Sequence, residues 1–516
     1  MNQKLFILIA IPIIVSYLIL GTGLFGDDFT EIVKMSKFSI SDFFYPSPYI
    51  HEHYILGLTS HYSLFWTYKF LGYEYIFVYD FIKVIAHCAS IYLLYKFFHD
   101  YIKSDRALIA SILFVFFPLH DSTIYWFMAL VYVIPPSLIA YSHYLIRKEK
   151  KLTGFIIGLF GSTFFYTSPP YIFGLSMIFL IEKKFKQFFL FITPGIIYIF
   201  YYLGIRNIYP LAEKRINEDL QIQEFIKNIF TQILSFFETF FGPSFFLKIY
   251  YSILSLEIIS FVIAGIVIFL ISKNLKKLSL QESSLRSINA GLMSILILSF
   301  IMFASTGLYN QTPFGLGNRT IIYGSFLVSF WIAVLLPKNN KLTIILCSIF
   351  ILANFGLSDH WKNWGKEQQK IIQNITMDEK LLGLEDNSVL IIKNNLASKL
   401  GPFNHIEFFS MPWNVNSIFI NEHTRGIEVV ALTSYLDIKN DVLKDKKFNH
   451  AYPLNNKQIY IYDTSTNNLE LSNEENLKYQ VGDKEAELRH WIQLLKGSKI
   501  ETFIVWLSPR LSYIFK

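Results

Sequence analysis

The chain has 516 residues, of which 53% are hydrophobic and only 16% are charged. Soluble domains carry about 25% charged residues, so this composition excludes an ordinary soluble protein. The net charge of +7 does not indicate a nucleic-acid partner, because the basic residues fall in short connections between apolar runs. Cys88 and Cys347 lie within such runs, which is typical of packed thiols and not of a disulfide or a metal site.

The apolar runs predict an α-helical polytopic membrane domain over residues 1–357, with about eleven transmembrane helices of the ~20 residues that cross a bilayer. We expect the first run to be an anchor, since Lys4 precedes it and no signal-cleavage pattern follows it. The short runs at 152–167 and 169–181 either span twice or form a re-entrant hairpin, which would lower the count by two. The predicted spans lie at 5–24, 75–98, 107–118, 123–146, 152–167, 169–181, 188–204, 253–271, 288–304, 320–336 and 342–357.

Basic residues cluster on alternate connections between these runs. Because cytoplasmic loops carry an excess of Lys and Arg, this pattern predicts a cytoplasmic N-terminus and an outer face that holds the loops 25–70 and 205–250. Frequent Lys, Asn, Ile and Phe indicate an AT-rich bacterial genome, so we expect the inner or plasma membrane of a bacterium. The clusters are Lys96, Lys103 and Arg106; Arg147, Lys148, Lys150 and Lys151; Lys183, Lys184 and Lys186; Lys273, Lys276, Lys277 and Arg286; and Lys338 and Lys341.

Two outer segments are expected to form helices on the membrane surface, near 28–38 and 52–70. Apolar residues at helical spacing over 222–233 predict a third interfacial helix. Residues 358–516 are polar and lack a run long enough to span, so we predict an extracytoplasmic α/β domain. Its β-like stretches lie at 388–392, 458–462 and 503–507, and a helical stretch lies at 484–496.

An acidic pair, Asp27 and Asp28, directly follows the first span. One interpretation makes either residue the N-cap of the next helix, and the other makes it a general base at the membrane surface. Within the spans, Asp80 and Lys83 stand at i,i+3 and are expected to pair. Because a transporter carries ionisable residues mainly near the midplane, polar residues at outer loop starts favour an enzyme acting on a lipid-anchored substrate.

Short motifs in residues 5–357 carry a family resemblance. Gly26-Asp27-Asp28 resembles the acidic pair in the first outer loop of the GT-C class of membrane glycosyltransferases. Phe117-Pro118-Leu119-His120-Asp121 with Trp126 is similar to the second outer loop of a branch that includes TMTC-type, protein O-mannosyltransferase and ArnT-like families. Asn318-Arg319-Thr320-Ile321-Ile322-Tyr323 looks like that branch's Arg- and Tyr-containing element near a late span.

The resemblance implies a GT-C-like fold and transfer of a sugar, with inversion, from a polyprenyl-phosphate donor to a cell-envelope acceptor outside the membrane. It implies no metal and no cofactor. Asp27 is the expected base and Asp28 the next candidate. The residues expected to bind donor or acceptor are His120, Asp121, Asn318, Arg319 and Tyr323.

Alternatives stay open at this stage. Arg319 is equally typical of a cation among lipid headgroups, and His120 and Asp121 of a cap on the helix that begins near Ser122. A flippase for a lipid-linked sugar, an O-antigen-type polymerase and a membrane O-acyltransferase are competing classes. The identities of the sugar and of the acceptor, which is a glycan, a lipid or a protein, are not encoded in these patterns.

Overall fold

The computed structural model describes residues 9–44, 56–208, 220–274, 285–307, 310–337, 340–419, 426–447, 449–482 and 488–507. Parts of several sequence predictions lie outside these residues. They are the start of the first span, residues 45–55 and 209–219 of the two outer loops, residues 484–487 of the predicted C-terminal helix, and Lys276, Lys277 and Lys338.

Most of the described chain is helical. Short 3-10 turns cover Pro118–His120, Leu316–Ile321 and Trp491–Leu495, and a π-helical turn covers His61–Phe65. The α-helices are α1 (Ile11–Ile19), α2 (Asp28–Ser36), α3 (Ser41–Phe44), α4 (Leu58–Ser60), α5 (Trp66–Leu71), α6 (Ile76–His99), α7 (Ser104–Val115), α8 (Ser122–Tyr125), α9 (Leu130–Arg147), α10 (Lys151–Ser162), α11 (Pro169–Ile181), α12 (Phe185–Ile208), α13 (Ile222–Phe241), α14 (Pro243–Leu254), α15 (Ile258–Asn274), α16 (Arg286–Thr306), α17 (Ile322–Leu335), α18 (Asn340–Met377), α19 (Glu379–Leu382), α20 (Pro412–Phe419), α21 (Glu474–Gly482) and α22 (Lys499–Leu507).

Five helices of the described chain are long and apolar enough to cross a membrane, and α14 with α15 would add a sixth if this pair, bent by 112°, is one span. The predicted count of about eleven spans is therefore not confirmed. Several other apolar runs form short helices, such as α10 with 12 residues and α11 with 13. At 1.5 Å per residue, such a helix is about 18–20 Å long, less than the ~30 Å of a bilayer core. The five are Ile76–His99, Phe185–Ile208, Arg286–Thr306, Leu316–Leu335 and Lys341–Met377.

The chain folds into two compact units. The first comprises Met1–Gly23, Met35–Pro313 and Gly317–His360, and the second comprises Leu24–Lys34, Phe314–Leu316 and Trp361–Lys516. The first unit is helical in its described part, and the second holds the β-strands. The segment with the acidic pair is thus grouped with the C-terminal region.

Glycines allow close helix packing in the first unit. Added Cβ atoms on Gly154 and Gly158 of α10 would meet Ile146 and Ser142 of α9 at 2.6 and 2.7 Å, and one on Gly174 of α11 would meet Ile295 of α16 at 2.5 Å. Small residues at i,i+4 spacing are typical of helix contacts in membranes, because they let backbones approach closely. These glycines explain why apolar helices with little polar patterning find a defined register.

Ion pairs and hydrogen bonds connect the ends of several helices in the first unit. Arg147, at the end of α9, pairs with Asp100 after α6 and with Glu182 after α11, each at 2.6 Å. Ser287 at the start of α16 donates to Glu182 at 3.2 Å, and Arg106 donates to carbonyls at the end of α17. Described residues in or beside the predicted basic connections therefore contact one another within the first unit. Their location on the cytoplasmic face stays a prediction.

The second unit contains three small sheets. The largest has the strand order β4-β1-β8-β9, in which β1 pairs in parallel with both β4 and β8 while β9 is antiparallel to β8. The central strand β1 is buried from Ser388 to Ile392 on both faces, as expected for a strand flanked by parallel neighbours. The strands are β1 (Ser388–Lys393), β2 (Ala397–Leu400), β3 (Phe403–Glu407), β4 (Glu428–Ala431), β5 (Leu436–Lys439), β6 (Val442–Asp445), β7 (His450–Pro453), β8 (Gln458–Asp463) and β9 (Asn468–Ser472).

Two of the three β-stretches expected in this region are confirmed as β1 and β8. The third, at 503–507, is wrong, because these residues belong to helix α22. A short uninterrupted apolar run has no periodicity that separates a strand from a buried helix. Helix α13 confirms the helix predicted over 222–233, while its location in a membrane interface stays a prediction.

Candidate functional site

The acidic pair begins helix α2 within the second unit. Gly26 adopts φ +51°, a left-handed conformation that favours glycine, and so turns the chain directly before the two carboxylates. The segment is anchored by Phe25, whose ring packs edge-on against Trp361 with centroids 4.6 Å apart, and by Phe29, which packs against Phe408. The backbone that carries the acids is therefore fixed by aromatic packing.

The two carboxylates differ in their surroundings. Asp28 is fully buried, and its Oδ2 accepts a 2.9 Å hydrogen bond from the backbone N–H of Phe25. Asp27 is half-buried, and its Oδ1 accepts a 2.8 Å hydrogen bond from Nε1 of Trp413. The local backbone contact of Asp28 resembles helix-start capping. Asp27 is held instead by a side chain from the start of α20 and keeps part of its surface in solvent.

A buried polar cluster in the first unit brings together two predicted binding residues, Asp121 and Asn318. The Nδ2 of Asn318 donates to Oδ1 of Asp121, and its Oδ1 accepts from the backbone N–H of Ser122 at 3.2 Å and from the Ser122 hydroxyl. Lys248 of α14 completes the cluster, with Nζ 3.0 Å from Asp121 Oδ1 and both side chains fully buried. Asp121 precedes α8 but makes no side-chain capping bond, so its carboxylate serves this cluster instead.

His120 lies beside this cluster and is engaged on both ring nitrogens. Its Nδ1 is 2.7 Å from the Thr123 hydroxyl and its Nε2 is 3.0 Å from the Phe114 carbonyl. Burial lowers the pKa of His120 to about 4, so the ring is neutral at physiological pH. A ligand would reach this ring only after one of these bonds is broken.

Arg319 lies in an aromatic setting in the first unit. Its guanidinium stands over the ring of Trp126, 5.2 Å from the centroid, and its Nε donates to the Tyr132 hydroxyl at 3.3 Å. The Arg319 side chain is half-buried, while Trp126 is buried with no partner for Nε1 in the part of the chain that the structure describes. The Arg319 guanidinium is therefore oriented by cation–π contacts with the rings of Trp126 and Tyr132.

Tyr323 is buried, and its hydroxyl donates to the Thr167 carbonyl at 2.7 Å. Its ring stacks on Tyr171, with centroids 4.7 Å apart. The hydroxyls of Tyr171 and Ser168 are buried and have no hydrogen-bond partner among the described residues. Tyr323 thus stacks on a tyrosine whose hydroxyl has no hydrogen-bond partner among the described residues, while its own hydroxyl is hydrogen-bonded to Thr167.

The predicted pair of Asp80 and Lys83 is confirmed, with a 2.8 Å distance between Nζ and Oδ1. Lys83 also donates to Thr22, to the Gly23 carbonyl and to the Tyr125 carbonyl, each at 2.8 Å. Asp80 accepts from the backbone N–H groups of Gly21 and Gly23. This pair therefore stabilises the turn after α1, directly before the segment that carries the acids.

Sequence reasoning missed three residues that contact the predicted site residues or their neighbours: Lys248 in the first unit, and Trp413 and Asn414 in the second. Lys248 stands in the aromatic stretch Phe245-Phe246-Leu247-Lys248-Ile249, where a single cation was a usable signal of a buried partner. Trp413 and Asn414 had no local signal, because they follow a short loop in a region without a recognised motif. Among the described residues, no three His, Cys, Asp or Glu side chains are placed to hold a metal ion, and metal independence stays a prediction.

No family model matches the chain, and no curated protein matches it.

Proposed function

We propose that the protein is an integral membrane glycosyltransferase that moves a sugar from a polyprenyl-phosphate donor to an acceptor hydroxyl in the bacterial cell envelope. The observation that carries this proposal is the contrast between the adjacent acids. Asp28 is enclosed by protein, whereas Asp27 is oriented by an indole N–H and remains partly exposed. A general base needs a carboxylate that is held in position and accessible to substrate.

In the proposed reaction, the acceptor oxygen attacks the anomeric carbon of the donor sugar and loses its proton to the Asp27 carboxylate. The bond between the anomeric carbon and the phosphate oxygen breaks, and the lipid phosphate leaves with the electron pair. Attack from the side opposite the phosphate inverts the anomeric configuration. We assign the phosphate to Arg319, because a guanidinium can bind two phosphate oxygens at once and stabilise the charge that develops on them.

The finer architecture remains part of the proposal. A GT-C-like bundle of about eleven spans, a cytoplasmic N-terminus and an extracytoplasmic C-terminal region over 358–516 would place the outer loops at the donor's phosphate. His120, Asp121, Asn318 and Tyr323 would then shape this region, with Asp121 acting through its contacts to Lys248 and Asn318. No metal ion or cofactor is required by this chemistry.

The test compares Asp27→Asn with Asp28→Asn in purified protein, using transfer from a panel of polyprenyl-phosphate sugars. A general base contributes roughly 10²- to 10⁴-fold to rate, so Asp27→Asn should lower kcat by this factor with normal membrane insertion. Asp42→Asn, an acid in the same predicted outer loop, is the matched control and should retain activity. Wild-type activity in Asp27→Asn would refute the assignment of the base.

A flippase for a lipid-linked sugar is the second candidate. It is favoured by the buried pair of Asp80 and Lys83 within the candidate span Ile76–His99, because intramembrane charges are common in transporters. A flippase would scramble a labelled lipid-linked sugar across proteoliposomes without breaking its glycosyl bond. This transport would survive Asp27→Asn.

A further inference from the structure

Trp413 has a partly exposed indole ring whose N–H is hydrogen-bonded to Asp27. Its side chain is 38% exposed, while its indole N–H already donates to Asp27 at 2.8 Å. The hydrogen bond directs the N–H edge of the ring towards the carboxylate. What the indole presents to a ligand is therefore its apolar face, next to the proposed base.

Polar groups flank this ring on the chain. The Nδ2 of Asn414 and the hydroxyl of Ser410 are buried, at 1% and 4% residue exposure, and have no hydrogen-bond partner among the described residues. The other end of the Asn414 amide is held, since its Oδ1 accepts from the Thr30 hydroxyl at 2.7 Å. A buried polar group without a partner costs about 1–3 kcal/mol, so a ligand hydroxyl that reached either group would remove this cost.

An exposed tryptophan is also typical of a membrane-interface anchor. One feature argues against that role for Trp413. An interfacial indole uses its N–H towards headgroups, and here the N–H is occupied by Asp27.

We propose that Trp413, Asn414 and Ser410 form a binding subsite for a saccharide. The C–H face of a sugar ring stacks on the indole, and its hydroxyls bind the amide and the serine hydroxyl. That the bound saccharide is the acceptor rests on the proposed function. In that role, one of its hydroxyls lies at Asp27 and gives up its proton to the carboxylate as its oxygen attacks the donor.

Binding is tested on the full-length protein in nanodiscs, using an array of defined oligosaccharides built from hexoses, N-acetylhexosamines and heptoses. We expect the wild type to bind at least one of them. Trp413→Ala should weaken this binding at least tenfold, while Trp413→Phe, which keeps an aromatic face, should weaken it no more than about threefold. Trp506→Ala is the matched control, because Trp506 is 75% exposed in the same unit, and it should bind like the wild type.

A second measurement covers the case in which Trp413→Ala does not fold. Saccharide binding should change the tryptophan fluorescence of the wild type, and this change should be absent in Trp413→Phe. Wild-type binding by Trp413→Ala, or no binding of any oligosaccharide, would overturn the proposal.

The two proposals fail in different ways. Loss of sugar transfer in Asp27→Asn tests the transferase, whereas weakened saccharide binding in Trp413→Ala tests the subsite. A protein that binds saccharide but never cleaves a polyprenyl-phosphate sugar would retain the subsite and exclude the transferase. A protein that transfers sugar only to lipid or protein acceptors, at a rate that does not depend on Trp413, would support the transferase proposal and exclude the saccharide subsite.

Discussion

Removal of Lys248 should strongly destabilise the first unit. The Lys248 Nζ lies 3.0 Å from Asp121 Oδ1, and both side chains have no exposed surface. In Lys248→Met, the carboxylate of Asp121 stays buried without its cation. Breaking a buried ion pair at one partner costs about 3–5 kcal/mol, which corresponds to a roughly 10²- to 10⁴-fold change in the folded-to-unfolded ratio.

The double variant Asp121→Asn with Lys248→Met distinguishes the cost of an unpaired buried charge from the cost of altered side-chain packing. It removes both charges and keeps similar volumes, and such replacements are often nearly neutral. We therefore expect the double variant to be more stable than either single variant, within about 1–2 kcal/mol of the wild type. Lys151→Met is the matched control, since Lys151 in its pair with Glu149 is 57% exposed and such surface pairs contribute at most about 1 kcal/mol.

The assay is denaturant unfolding in mixed micelles, followed by far-ultraviolet circular dichroism, for the wild type and the variants. Wild-type stability in Lys248→Met would refute the buried ion pair. Simple addition of the two single effects in the double variant would also contradict it, because compensation is what a shared buried pair requires.

Two other measurements test the packing and the ionic contacts. Gly356→Ala should destabilise the protein by about 1–3 kcal/mol, since its Cβ would overlap the backbone oxygen of Ser252, whereas Gly265→Ala meets no atom within 4 Å and should be neutral or slightly stabilising in thermal unfolding. Burial opposes ionisation of Glu182, but hydrogen bonds from Arg147 and a lysine outweigh it and lower its pKa. This carboxylate therefore stabilises the fold above its unfolded-state pKa of about 4.3, and the contribution is lost as pH falls through the lower folded-state pKa. In Glu182→Gln, the free energy of unfolding should depend less on pH in the acidic range. An unchanged pH dependence there would contradict the stabilising role of the Glu182 carboxylate.

Elements with strong local patterns were predictable from the sequence. The run at 75–98 forms α6 from Ile76 to His99, and the β-branched stretch at 388–392 forms β1. The pair of Asp80 and Lys83 was predictable because residues three apart lie on the same side of one helix. These features depend on neighbours in the chain, so spacing alone encodes them.

Span length and bending were less predictable. The apolar run at 342–357 continues as a helix to Met377, since polar residues extend a helix as readily as apolar ones once it has begun. The run at 253–271 is preceded by α14, which is bent from α15 by 112° around Ser255-Leu256-Glu257. Hydropathy measures how apolar a segment is, and it contains no information about the direction in which a helix axis runs.

The sequence by itself determined that the chain holds helices apolar enough to span a membrane, and where most of the long helices lie. It also supplied the candidate site residues, whose roles stay predictions. Tertiary structure alone decided the partners: Lys248 meets Asp121 across 127 residues, and Trp413 meets Asp27 across 386. Local periodicity follows from the repeat of the backbone, which every residue shares. Such distant contacts depend on how whole elements pack, and a linear pattern does not record this packing.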